Sequence, residues 1–142
     1  MTHIRAYLTF NGNCREAMTF YKKCFGGELV IQPIRDTPMA YHMPDKMKDC
    51  ILHSTLTKEK FILMGSDMIG EDGIQKGNTV SLLLDCNTEE ELNKYYNNLS
   101  AKGIPTHPIE TTFWGALFGG LTDQFGNHWL LHFQQKNTNE KD

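Results

Sequence analysis

FWGALFGGLTDQFGNHWLLHF, residues 113–133, is the stretch whose reading decides the fold. An aromatic-glycine approach leads to a D-x-x-G turn at Asp123 to Gly126, and the segment after it alternates strictly. His128, Leu130 and His132 fall on one side, Trp129, Leu131 and Phe133 on the other, as successive residues of a strand do. The stretch is a β-hairpin with two differently dressed faces. Its aromatic and aliphatic face suits packing on helices; its imidazole-bearing face can line a cavity. A ligand site is expected here first.

Working outward, the elements before this hairpin form a pattern that occurs twice. Residues 79–84 read as a strand, and Thr88 with Glu91 forms a capping box for a helix whose buried stripe is Leu92, Tyr95, Tyr96 and Leu99, with Gly103 as its stop. Residues 104–112 give a strand interrupted by Pro105 and Pro108, which places it at a sheet edge. Earlier in the chain, residues 4–10 read as a strand closed by Asn11-Gly12. Asn13 with Glu16 then caps a helix carrying Ala17, Met18, Tyr21, Cys24 and Phe25, stopped by Gly26-Gly27. Strands follow at 28–35, 49–57 and 60–64, the last closed by Gly65-Ser66-Asp67. Between them residues 36–48, with Pro38, Pro44 and several methionines, read as a long irregular connection, a pocket wall or a plain surface loop.

Each half is therefore a β-α-β-β-β unit. The first module spans 1–69, a glycine-containing linker 70–78, the second module 79–133, and a polar tail 134–142, which its composition predicts to be disordered. One such unit cannot cover both faces of its sheet. The expected class is α+β: paired βαβββ modules forming a curved mixed sheet around a cleft, helices outside, the kind of place where small molecules bind.

Composition narrows the function. Of 142 residues, 22% are charged and 39% hydrophobic, enough for a core, and the net charge of −3 gives no nucleic-acid or membrane-surface footprint. No segment approaches the roughly 20 apolar residues of a membrane span, and MTHIRAYLTF has no signal-peptide pattern. The expected location is cytoplasmic. Cys14, Cys24, Cys50 and Cys86 contain no C-x-x-C pair, so buried free thiols are expected rather than a zinc site or a disulfide framework. Neither a nucleotide-holding G-x-G loop after a strand nor a G-x-x-x-x-G-K-[ST] loop, a G-x-S-x-G elbow or a Cys-His nucleophile pair is present.

YLTFNGNCREAMTFYKKCFGGEL, HSTL, LMGSD and FWGALFGGLTDQFGNHW together resemble the vicinal oxygen chelate (glyoxalase/bleomycin-resistance) superfamily, in its PhnB-like branch, over residues 4–133. The resemblance implies paired βαβββ modules, often as a homodimer, and a range of activities from metal-dependent lyases, isomerases and dioxygenases to drug sequestration. Fold transfers across that range but reaction does not. Metal enzymes of the superfamily carry a His or Glu on the first and last strand of each module. The matching positions here are Ala6 or Tyr7, Leu63 or Met64, Thr79, and Leu130, none a good ligand for a divalent ion. No resident cofactor is expected.

A variant metal site from His53, His128 or His132, with His42 or Asp67, is the competing reading, though His128 and His132 lie about 13 Å apart along a strand and cannot share an ion. His3 and His107 read as surface residues, His53 as half-buried on an alternating face with Ile51 and Thr55, and Asp123 and Gly126 as turn formers. Where the branch carries an acidic and a basic residue after FWG, this chain has Ala116 and Leu117. That leaves a drier wall of Phe113, Trp114, Phe118 and Trp129, either an aromatic platform for a flat ligand or a dimer interface. The candidate pocket residues are Tyr7, His53, Trp114, Phe118, His128, Leu130 and His132. The sequence thus points to a homodimeric small-molecule-binding protein, with a metal-dependent enzyme and a non-catalytic interaction dimer as alternatives.

Overall fold

The computed structural model describes residues 1–68 and 72–135. The chain divides into two compact units between Gln75 and Lys76. The first contains β1 (Ala6–Phe10), α1 (Cys14–Phe25), β2 (Glu28–Pro33), β3 (Ile51–Lys58) and β4 (Phe61–Asp67). The second repeats the order with β5 (Leu82–Asp85), α2 (Glu89–Ser100), β6 (Ile104–Thr111), β7 (Ala116–Thr122) and β8 (His128–Gln134). Both sheets are mixed and wired alike: β1-β4-β3-β2 and β5-β8-β7-β6, each with its first strand parallel to its last. The α+β class and the doubled βαβββ order are as the sequence predicts. The proline-containing β6 stands at an edge, where a missing N–H costs no ladder bond.

Each helix packs on one face of its own sheet, and the alternation of the strands decides what meets it. In the first unit Phe10, Leu56 and Leu63 are buried with Ala17, Met18 and Tyr21 of α1. In the second, Leu121, Trp129 and Leu131 are buried with Leu92, Tyr95 and Leu99 of α2. A fully buried leucine contributes about 1.5–3 kcal/mol, so these two clusters hold the units together. The other sheet faces carry no helix of their own unit.

Four local readings change. The first helix is not capped by Asn13, whose side chain makes no cap bond. The acceptor is Asp67 at the end of β4: its Oδ1 takes the N–H of Gly12 (3.0 Å) and Cys14 (2.9 Å), and its Oδ2 that of Ile51 (2.8 Å). A carboxylate delivered by the sheet outcompetes a local amide because it brings a full charge to the positive helix end. Gly65-Ser66-Asp67 does not close a strand; β4 runs through it, paired with β1 up to Phe10–Asp67.

The second helix keeps its capping box, Thr88 Oγ1 accepting from Glu91 N (3.0 Å), while Glu91 reaches back to Asn87 N (3.2 Å). Its stop differs: the left-handed residue is Lys102 (φ 59°), and Gly103 is required by contact, since a Cβ there would lie 2.5 Å from the Thr122 carbonyl. Gly27 holds the equivalent place in the first unit, 2.5 Å from the Thr57 carbonyl. Finally, β1 and β5 begin at Ala6 and Leu82, later than the sequence pattern suggests. The tail from residue 136 onward, for which disorder was expected, lies outside the described residues; residue 134 ends β8.

Candidate functional site

The helix-free face of each sheet is fixed by register. In the first unit Val30, Thr55, Met64 and Tyr7 form one row across β2, β3, β4 and β1. Beside it His53 lies opposite Gln32. Its ring stands 6.2 Å from that of Tyr7, and its Nε2 is 3.1 Å from Thr55 Oγ1. Ile51 does not share this face: an irregularity at Gln32/Pro33 shifts the register, and Ile51 is 1% exposed. Asp67 also leaves the list of variant metal ligands, because three backbone N–H groups already take its carboxylate.

In the second unit the rows are Leu83, Leu130, Gly120 and His107, and next to it Asp85, His132, Phe118 and Glu110. His128 pairs with Thr122 at the end of β8. Its two nitrogens are both engaged, Nδ1 with Thr122 Oγ1 (2.9 Å) and Nε2 with the Gly77 carbonyl (3.1 Å). A carbonyl only accepts, so Nε2 carries the proton and Nδ1 accepts from the threonine hydroxyl. His128 thus ties the segment before β5 to the hairpin. His132 differs. Its Nδ1 is 2.9 Å from Asp85 Oδ1, and among the described residues its Nε2 has no hydrogen-bond partner.

The four aromatics expected to form one wall do not share a surface. Trp129 belongs to the helix-facing core, its indole N–H donating to Asp123 Oδ2 (2.8 Å). Phe113 and Trp114 stack edge-on at 4.8 Å in the exposed β6–β7 turn, and Phe118 is the one aromatic of the set on the helix-free face. The hairpin's D-x-x-G turn carries more than a turn. Asp123, 3% exposed, also accepts from Phe125 N (2.8 Å) and Asn127 N (3.0 Å), so a single buried carboxylate shapes the loop and anchors the core tryptophan. D-x-x-G followed three residues later by Trp was the available signal for that role.

The loop between β2 and β3 folds into three short 3₁₀ turns, Ile34–Asp36, Pro38–His42 and Asp45–Met47. Among the residues around an open hollow of about 460 Å³ there are Arg35, Thr37, Tyr41 and Lys48. Its cations are matched, Arg35 to Asp49 (2.9 Å) and Lys48 to Asp45 (2.9 Å), and each partner holds its aspartate below the ordinary carboxylate range. It offers no uncompensated charge for an anion. The thiols are closed as well: burial pushes Cys14 up to about 11 and Cys86 to about 12, which keeps both un-ionised and unreactive near neutral pH.

Register also places the positions at which the resemblance implies metal ligands. Tyr7 pairs with Met64 and Leu83 with Leu130 on the helix-free faces, whereas Ala6 and Leu63 belong to the helix side and Thr79 precedes β5. A phenol, a thioether and two isobutyl groups do not fit a divalent ion. Among the described residues no group of three His, Cys, Asp or Glu is placed to hold a metal.

A family model described as 3-demethylubiquinone-9 3-methyltransferase matches residues 2–132. The chain belongs to that family. Protein PA1353 of Pseudomonas aeruginosa is 36% identical, superposes with a TM-score of 0.82 and aligns over 96% of this chain and 100% of its own. A Bacillus cereus structure titled putative 3-demethylubiquinone-9 3-methyltransferase, PhnB protein, is 28% identical with a TM-score of 0.75, covering 93% and 99%. Protein YjdN of Escherichia coli K12 is 29% identical over 135 residues, 89% of this chain and 91% of the relative. A glyoxalase/bleomycin resistance protein/dioxygenase family enzyme from Burkholderia phytofirmans, at 15% identity and TM-score 0.60, shares the fold. The chain is therefore PhnB-like, with the glyoxalase/bleomycin-resistance fold.

The family's description names a methyl transfer, which calls for a bound methyl donor. The strand-to-helix turns of this PhnB-like chain do not fit a nucleotide-like donor, because the chain fills both itself: Asp67 occupies the start of α1, and Thr88 with Glu91 the start of α2. Among the described residues no helix is long and apolar enough to cross a membrane.

Proposed function

We propose that this PhnB-like protein binds a small, flat, largely apolar molecule on the helix-free sheet faces, without the chelated metal of its superfamily's enzymes, and that it works as a cytoplasmic homodimer. The observation that carries this reading is that the register pairs Tyr7–Met64 and Leu83–Leu130 on the helix-free faces present a phenol, a thioether and two isobutyl groups. Those groups favour apolar contact over coordination. Support for a second copy comes from the exposed apolar side chains Tyr7 and Val30 in the first unit and Val80, Leu83 and Ile104 in the second, which a second copy would cover. The cytoplasmic placement rests on four free cysteines, all buried.

The test combines metal and ligand. Purified protein is loaded with Zn, Ni, Mn, Co and Fe and dialysed, and a metabolite and drug library is screened for a raised melting temperature. Expected are metal retention well below one ion per chain, and stabilisation by aromatic compounds. Stoichiometric retention would return the metal-dependent lyase, isomerase or dioxygenase reading. A library that never stabilises the protein would favour the non-catalytic interaction dimer, and light scattering at a single-chain mass would remove the dimer.

A further inference from the structure

We propose that His132 and Asp85 form a proton-accepting dyad that takes the hydroxyl proton of a bound phenol or enol. The arrangement is set by backbone pairing. Asp85 on β5 lies opposite His132 on β8 in the parallel register, and Cys86 N–H donates to the His132 carbonyl at 2.7 Å. The side chains then meet at 2.9 Å, Nδ1 to Oδ1. A carboxylate only accepts, so the proton resides on Nδ1 and the lone pair on Nε2, which has no hydrogen-bond partner among the described residues. The histidine is thus held in one tautomer with its accepting nitrogen free, the orienting role that a carboxylate plays for a general base.

Two comparisons within the chain set this histidine apart. His128, on the same face of the same strand, spends both nitrogens on Thr122 and Gly77. His53 has Nε2 against Thr55 and, among the described residues, no carboxylate partner. Of these three histidines, His132 is the one at which, among the described residues, an orienting acid and a free acceptor coincide.

The neighbours name the ligand class. Phe118 is paired with His132 across β7, and Leu130 and Leu83 form the adjoining row, so the nitrogen stands beside apolar surface suited to a ring or a planar conjugated group. The charged and titratable groups of this face are Asp85 on β5, His128 on β8, and Glu110 and His107 on β6, with Phe118 between His132 and Glu110. The step is a proton transfer: the ligand's O–H bond breaks, an N–H bond forms at Nε2, and the imidazolium formed lies against the Asp85 carboxylate while the ligand keeps the electron pair as its oxyanion. No oxidant or co-reactant is needed.

The inference rests on the small-molecule reading above, and its test separates the two. The probes are 4-nitrophenol, whose anion has its own visible absorption band, and 4-nitroanisole, which has the same ring and no proton to give. They are titrated into the intact protein at a pH where free 4-nitrophenol is mainly neutral. Expected is a saturable anion band with the wild type, lost at least tenfold in His132→Gln and reduced in Asp85→Asn, while 4-nitroanisole binds wild type and variants equally.

A measurement on the unmodified protein guards against a misfolded variant: 4-nitrophenol should protect His132, but not His42 or His107, from diethyl pyrocarbonate, read by peptide mass spectrometry. Binding of 4-nitroanisole with no anion band from 4-nitrophenol overturns the dyad and leaves the binding reading standing. An anion band unchanged in His132→Gln, or equal protection of the other histidines, also overturns it. Failure of both probes to bind overturns the ligand class argued here, while the library screen decides the broader reading on its own.

Discussion

Replacing Asp67 should destabilise the first unit far more than replacing Asn13, although Asn13 is the residue that stands at the helix start. Asp67 accepts three backbone N–H groups, from Gly12, Cys14 and Ile51, at 2.8–3.0 Å. It therefore joins β4, the α1 N-terminus and the first residue of β3 through one carboxylate. A hydrogen bond nets about 1 kcal/mol in a folded protein, more to a charged group, and a donor left unpaired in a partly buried place adds a desolvation cost. Three such bonds give about 3 kcal/mol for Asp67→Ala, a large part of the 5–15 kcal/mol typical of a whole domain. Asn13→Ala removes no cap bond and should cost only a few tenths of a kcal/mol, whereas Thr88→Ala removes a real one and should cost about 1 kcal/mol. Urea unfolding of the three variants, compared by midpoint at unchanged slope, gives the order Asp67 > Thr88 > Asn13. If Asn13→Ala lost as much as Asp67→Ala, the capping argument would be wrong and the helix would be nucleated locally.

Three further outcomes follow from the same contacts. Trp129→Phe leaves Asp123 Oδ2 without its indole donor and should cost about 1–3 kcal/mol, with Asp123→Ala worse because three donors lose their acceptor; thermal melting orders the pair. Gly103→Ala drives a Cβ to 2.5 Å from the Thr122 carbonyl and should cost about 1–3 kcal/mol, while Gly77→Ala, with nothing within 4 Å, should be neutral in the same melting assay. Cys14 and Cys86 ionise at about 11 and 12 in the folded chain against 9.0 for an unburied thiol, so above about pH 9 the unfolded chain binds fewer protons than the folded one and stability must fall as pH rises. The urea midpoint should drop between pH 9 and pH 11, and the drop should be smaller in the Cys14→Ala, Cys86→Ala double variant; equal drops would remove the thiols as its cause.

The repeat was legible because both halves follow the same order of elements with the same local periods. A helix followed by glycine, then strands alternating apolar and polar residues, can be read from spacing, since periods of 3.6 and 2 are local properties. The cap of α1 was not legible, because its acceptor lies 53 residues from Cys14 and only the folded sheet brings it there. Tyr7 and Met64 rather than Ala6 and Leu63 emerge for the same reason: a one-residue change of register exchanges the two faces of a strand. Trp129 looked like pocket wall by composition, but the D-x-x-G turn that precedes it supplies a buried carboxylate, and an indole N–H goes where its acceptor is.

The histidine pair of the hairpin shows how little residue type alone decides. His128 and His132 stand on one face of β8, two alternations apart, and sequence offers no difference between them. What separates them is their neighbours across the sheet. His128 meets a hydroxyl on β7 and a carbonyl from the preceding segment, partners that use up an imidazole. His132 meets an aspartate at the last position of a short parallel strand and an aromatic ring on the other side. Had β5 been one residue shorter, Asp85 would fall outside the pairing and nothing would hold the ring. Strand length and parallel register, rather than the histidine itself, make the second position chemically distinct, and in the first unit, where Thr9 faces Ser66 two residues beyond the Tyr7–Met64 pair, they bring no acid to a base.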